Sequence, residues 1–104
     1  MIARVWKGAT PATKADEYLE YLKRTGVSQC LGTPGNRGVN ILRRIVGERA
    51  EFVFVSRWES RDAISAFAGP DLDKAVYYPE DEAFLLAPLD PHVEHFDLLV
   101  DEGV

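Results

Sequence analysis

Residues 52–58 read Phe-Val-Phe-Val-Ser-Arg-Trp, and this short run constrains the fold more than any other part of the chain. Its β-branched and aromatic residues favour an extended strand. Successive side chains of a strand point to opposite faces, so Phe52, Phe54 and Trp58 take one face and Val53 and Val55 the other. A strand that is apolar on both faces has to be covered on both. The chain has 104 residues, enough for a single domain over 1–104, so its own helices can supply one of the two covers.

The remaining elements follow from periodicity and punctuation. Ile2 to Lys7 alternates large and polar residues and reads as a first strand, ended by Gly8. Thr10-Pro11 predicts a helix start, with Thr10 as N-cap, Pro11 at the first helical position and Thr13 as the rival cap. Ala15, Tyr18, Leu19 and Leu22 then form one helical stripe, with Gly26 as the expected stop. Val27 to Gly38 is rich in glycine and proline and predicts a loop. Val39–Val46 and Phe52–Trp58 predict a hairpin around Gly47-Glu48-Arg49. Ser60 caps a second helix carrying Ala63, Ile64, Phe67 and Ala68, closed by Gly69-Pro70. A further helical turn is expected within Asp71–Tyr78, a short segment from Pro79 whose Glu80, Asp81 and Glu82 suit a solvated helix start, and a last strand over Val93–Val100.

This order, βαββαβ, predicts an α+β, ferredoxin-like domain: a four-stranded antiparallel sheet with both long helices on one face. The last strand is also apolar on both sides, with Val93 and Leu99 against Phe96, Leu98 and Val100. The face left bare by the helices would exceed the apolar patch that a monomer exposes. Hiding it stabilises an assembly by roughly 25 cal/mol per Å² before association costs. A second copy of the chain, packed sheet to sheet about a two-fold axis, is the simplest cover. The net charge of −5 argues against nucleic acid or an anionic membrane as partner. No apolar run approaches the ~20 residues of a membrane span. A lone cysteine, Cys30, forbids an internal disulfide and suits a cytoplasmic protein.

The segment from Trp58 through Glu59-Ser60-Arg61-Asp62-Ala63-Ile64-Ser65-Ala66-Phe67 to Ala68-Gly69-Pro70-Asp71 resembles the antibiotic biosynthesis monooxygenase family, with a tryptophan closing strand three, a serine cap and an amphipathic helix running into an Ala-Gly-x-Asp step. Tyr77-Tyr78-Pro79-Glu80-Asp81 and Val93-Glu94-His95-Phe96 also fit small members. The resemblance implies a dimeric α/β barrel. Some members oxidise phenols or quinols with O2 and neither metal nor flavin; others bind and degrade haem. The haem degraders use an asparagine on strand one, a tryptophan on helix two and a histidine soon after. Here strand one has Trp6-Lys7, and the other two positions align with Phe67 and Tyr77. All three depart, so the resemblance points away from haem and toward the cofactor-free members.

A cofactor-free oxygenase has to hold its substrate as an electron-rich anion, away from water, beside a base or a cationic donor. Candidate catalytic residues are His95 and Tyr77; candidate pocket residues are Trp6, Asn40, Trp58, Phe67 and Tyr78, with Arg4, Arg57 and His92 as further polar groups. His95 lies mid-strand and is either a near-neutral base or a hydrogen-bonded structural histidine. Trp6 and Trp58 read as core or interface anchors before substrate platforms. Of Tyr77 and Tyr78, one ring is expected to pack and the other to face a cleft. The glycine-rich stretch 32–38 has neither a dinucleotide nor a Walker pattern and reads as a connector. Glu80, Asp81 and Glu82 do not converge as metal ligands, and Cys30 has no histidine beside it. The functional expectation is a monooxygenase for a small aromatic phenol or quinol, needing no cofactor. The alternatives are a non-catalytic dimeric binding module for a small apolar ligand, or an isomerase, cyclase or decarboxylase using His95 or a tyrosine.

Overall fold

The computed structural model describes residues 1–103 and is built around one antiparallel sheet. Its strands are β1 (Ile2–Pro11), β2 (Asn36–Val46), β3 (Arg49–Trp58) and β4 (Glu94–Asp97), in the order β2-β3-β1-β4. Helix α1 (Ala15–Leu22) and, after a π turn, α2 (Ser28–Leu31) precede β2; α3 (Arg61–Ala68) and α4 (Asp81–Phe84) follow β3. This is the expected ferredoxin-like arrangement. In the β1–β3 register Trp6 pairs with Phe54 and Arg4 with Ser56, which places Arg4, Trp6, Phe52, Phe54, Ser56 and Trp58 on one face. That face meets the helices: Tyr18, Leu22 and Ile64 are buried with Phe52, Phe54 and Trp58 in a single core. Fully burying one such large side chain contributes about 1.5–3 kcal/mol.

Several boundaries depart from the sequence expectation. β1 runs on to Pro11, which still pairs with Arg49, so the helix does not begin there. The Thr10 side chain is fully buried and donates to the Pro11 carbonyl rather than capping α1. Asp16 and Glu17 face the positive end of α1 instead. Gly26 does not stop the helical arm, which continues through the π turn Lys23–Val27 to Leu31. Its role is close approach: a Cβ at Gly26 would stand 3.2 Å from the Phe54 ring. The loop expected from Val27 therefore shrinks to residues 32–35. Gly47 has φ +60° at the first position of a two-residue turn, a conformation that only glycine adopts freely.

Over Asp71–Tyr78 only a single turn forms, closed by Lys74 N–H to Asp71 O at 3.2 Å, and it does not propagate as a helix. The stretch is clipped to residues 91–93 instead, by Ala75 N–H to Pro91 O and Val93 N–H to Asp73 O, each 2.8 Å. The carbonyls of Leu72 and Lys74, which a helix would have used internally, accept hydrogen bonds from Arg4. β4 ends at Asp97 because its partner in β1, Ile2, is already the start of that strand; one more bond, Leu98 N–H to Met1 O, ends the ladder. Leu99 and Val100, expected in the strand, lie exposed beyond it. On the face away from the helices Val5, Val53 and Val55 form a half-buried apolar centre, edged by Leu42 and Phe96, which are 53% and 51% exposed. Among the described residues no helix is long and apolar enough to cross a membrane.

Candidate functional site

Between the sheet and the helical layer lies a cavity of about 50 Å³. The sheet contributes Arg4, Trp6, Phe54 and Ser56; the helical arm contributes Tyr18, Leu22 and Gly26; α3 contributes Phe67; the irregular stretch after α3 contributes Tyr77 and Tyr78; and α4 contributes Asp81. The close fit of Gly8 helps to place Trp6, since a Cβ there would overlap the indole at 2.4 Å. The indole N–H donates to the Tyr77 hydroxyl at 3.2 Å, and the two rings meet edge to face. The Tyr77 hydroxyl donates onward to the Asp90 carbonyl. Burial pushes the Tyr77 hydroxyl up and Trp6 counters it. Tyr78 is pushed up to about 12, by burial first and then by Cys30 and Asp81, and its hydroxyl donates to Gln29.

The cavity is chemically two-sided. Arg4 is 4% exposed, and among the described residues it forms no salt bridge. Its Nη1 donates to Leu72 O and His95 Nε2, the latter at 3.2 Å, and Nη2 donates to Lys74 O at 2.8 Å. The Phe67 ring lies 5.9 Å from its guanidinium carbon. A guanidinium has five N–H donors, so two are left uncommitted. Burial lowers the Arg4 pKa, with Cys30 and Asp73 opposing, but an arginine stays charged. The other wall carries Asp81, only 3% exposed. Its carboxylate accepts from the Tyr18 hydroxyl at 3.2 Å and the Tyr78 backbone N–H at 2.6 Å. Burial raises its pKa, and those two hydrogen bonds oppose the rise.

Five of the candidate residues, Arg4, Trp6, Phe67, Tyr77 and Tyr78, line this cavity. Two of the expected pocket residues do not. Trp58 is fully buried behind Phe67, at 5.6 Å between ring centres, and its indole N–H donates to Ser56 Oγ at 2.8 Å. It is a core anchor because its strand position faces the helices. Asn40 pairs with Val55 and lies exposed on the opposite face of the sheet. His95 stands beside the cavity rather than in its wall: it pairs with Arg4 across the β1–β4 ladder, on the helix-facing side. Arg57 reaches Asp101, and His92 is exposed. Asp81 and Tyr18 were missed. An acidic residue at a helix start reads as solvated, and Tyr18 reads only as core. Cys30 is fully buried, and burial pushes its thiol up to about 12, so it carries no thiolate at neutral pH.

A second, open concavity of about 580 Å³ lies mainly on the far face, between Leu42, Arg44 and Val53 on the sheet and the segment Leu86–Asp90. The inner cavity lies far below the roughly 300–1,000 Å³ of a ligand pocket, and no histidine lines it. The larger concavity offers no histidine either.

A family model described as antibiotic biosynthesis monooxygenase matches residues 1–74. No curated protein matches the chain. Among solved structures, a putative antibiotic biosynthesis monooxygenase from Nitrosomonas europaea superposes with TM-score 0.66 at 18% identity, covering 96% of this chain and all of the other. Rv0793 from Mycobacterium tuberculosis gives 0.62 at 20% identity, covering 98% of each chain. The heme-degrader MhuD (Rv3592) from Mycobacterium tuberculosis, with two hemes bound, gives 0.61 at 23% identity, covering 99% of this chain and all of that one. At these identities the superpositions establish the fold.

Proposed function

The chain belongs to the antibiotic biosynthesis monooxygenase family, and we propose that it oxidises a small aromatic phenol or quinol with O2, using neither metal nor flavin. One observation carries this reading: a guanidinium with two uncommitted N–H groups and a buried carboxylate share a single aromatic-walled cavity. Asp81 accepts the phenolic proton, and burial makes its carboxylate a stronger base. Arg4 holds the resulting oxyanion. That electron-rich anion passes an electron to O2, oxygen bonds to a ring carbon, and the O–O bond then breaks. For a hydroquinone, quinol plus O2 gives a hydroxyquinone plus water, so atoms and electrons balance. The cavity as it stands admits O2 or a few waters. A ring enters when Tyr77 and Tyr78, carried on a stretch without helix or strand, swing outward. Tyr77 is then a wall and door rather than an acid or base, since its hydroxyl is engaged on both sides.

A second copy of the chain belongs to the same reading. The apolar far face around Val5, Val53, Val55, Leu42 and Phe96 is covered by its counterpart, giving a cytoplasmic homodimer.

The test is O2 uptake across a panel of hydroquinones and fused-ring phenols. Arg4→Gln and Asp81→Asn should each lower uptake by about 10²-fold or more. Wild-type uptake no greater than that of either variant across the panel would overturn the reading. Native mass spectrometry showing a bound aromatic that is never consumed would favour the binding module instead.

A further inference from the structure

Arg4 and His95 are direct partners in the β1–β4 register, so their side chains stand together on the helix-facing side of the sheet. The Nη1–Nε2 distance is 3.2 Å. A guanidinium can only donate, so this hydrogen bond exists only while Nε2 is unprotonated. The ring proton of the neutral histidine therefore sits on Nδ1. Nδ1 lies 3.3 Å from Asp73 Oδ1, but no hydrogen bond aligns on it, and the His95 side chain is 6% exposed. Asp73 belongs to the same stretch whose Leu72 and Lys74 carbonyls accept from Arg4.

We propose that His95, backed by Asp73, is a positioning residue for the cavity arginine, and that protonation of His95 releases Arg4. This rests on the reading of Arg4 as the oxyanion-binding group. The charged groups around His95 are Arg4 from β1, Asp73 from the stretch after α3, and Arg61 from α3. Two are cations, and the single carboxylate is 74% exposed. A proton on Nε2 would set one donor against another at 3.2 Å and place a third cation in the group. Burial first, and Arg4 next, lower the His95 pKa, with Asp73 opposing. The brace is thus closed at neutral pH and opens on acidification. The assignment also removes His95 as a general base, because its one free lone pair is spent on Arg4.

NMR of the ¹⁵N-labelled protein tests this without any substrate. The expected result is an Nδ1–H tautomer for His95 at neutral pH, a midpoint below the ordinary histidine value, and Arg4 side-chain signals that shift with that same midpoint. His95→Gln, whose amide oxygen can accept from Arg4, should keep the Arg4 signals in their neutral-pH position throughout the titration. Asp73→Asn should lower the His95 midpoint further. Arg4 signals that stay flat while His95 titrates, or an Nε2–H tautomer at neutral pH, would overturn the proposal. A chain that turns over no quinol yet shows the coupled titration would sink the catalytic reading and leave the brace standing.

Discussion

Arg4 and Asp81 carry opposite charges into one small cavity, and their surroundings explain how each is tolerated. A buried charge without partners is expensive. Arg4 is solvated by two backbone carbonyls, the His95 ring nitrogen and the Phe67 face; Asp81 is solvated by a tyrosine hydroxyl and a backbone amide. The raised pKa of Asp81 means that its ionised form still costs stability. In the window between the ordinary aspartate value and its own, the folded protein holds more protons than the unfolded chain, so stability falls as pH rises. Asp81→Asn should therefore fold well: its oxygen can accept from Tyr78 N–H while its amide donates to the Tyr18 hydroxyl. Asp81→Ala should cost about 1–3 kcal/mol by leaving both partners unsatisfied. Urea unfolding of the two variants at neutral pH checks this, and equal losses would contradict it. His95 has the opposite sign. Its lowered pKa makes the folded state bind fewer protons, so its contribution is complete above the unfolded value near 6.5 and falls as pH drops below it.

At the scale of elements, α3 shows how a local signal holds. Ser60 adopts extended backbone and its hydroxyl accepts from the Ala63 N–H at 3.1 Å. Ser60→Ala should cost about 1 kcal/mol, or roughly 4–8 °C in melting temperature for a domain of this size. Ser60→Asp should recover most of it. The loss is read by thermal unfolding, and an unchanged melting temperature would show that the cap adds nothing. The first helical arm shows the reverse. Thr10-Pro11 carries the pattern of a helix start, yet pairing of Pro11 with Arg49 keeps it in the sheet. Gly26 carries the pattern of a stop, yet it lies inside the arm, where a Cβ would press on the Phe54 ring at 3.2 Å. Both patterns are local, and only the neighbour met in the fold decides whether such a residue caps a helix, pairs in a sheet or permits a close approach.

At the scale of the molecule, the two-sided apolar character of β3 remains the dominant fact. One face is sealed by α1 and α3; the other exposes Leu42 and Phe96 around a valine centre, with Leu99 and Val100 beyond the end of β4. Sedimentation should find a dimer at micromolar concentration, and Val55→Glu with Phe96→Lys should shift it to a folded monomer. A wild-type chain that sediments as a stable monomer there would end the proposal. The two edges also differ in exposure. Ile45 belongs to the helix-facing row of β2 but is 53% exposed, whereas its partner Ala50 on β3 is fully buried.

Strand and helix identity, the βαββαβ order and the double-sided strand were all legible in the chain, because periods of two and of 3.6 residues are local properties. Four wall residues of the cavity were legible too, as aromatic side chains near element ends. Of the charged half, Arg4 is named by the chain as a candidate polar group but Asp81 is not, and the partners of neither are readable. Arg4 meets His95 across 91 residues and Leu72 across 68, and Tyr18 meets Asp81 across 63. Whether a charge is solvated by water, by carbonyls or by a distant ring depends on which segments the fold brings together. That choice belongs to the tertiary structure.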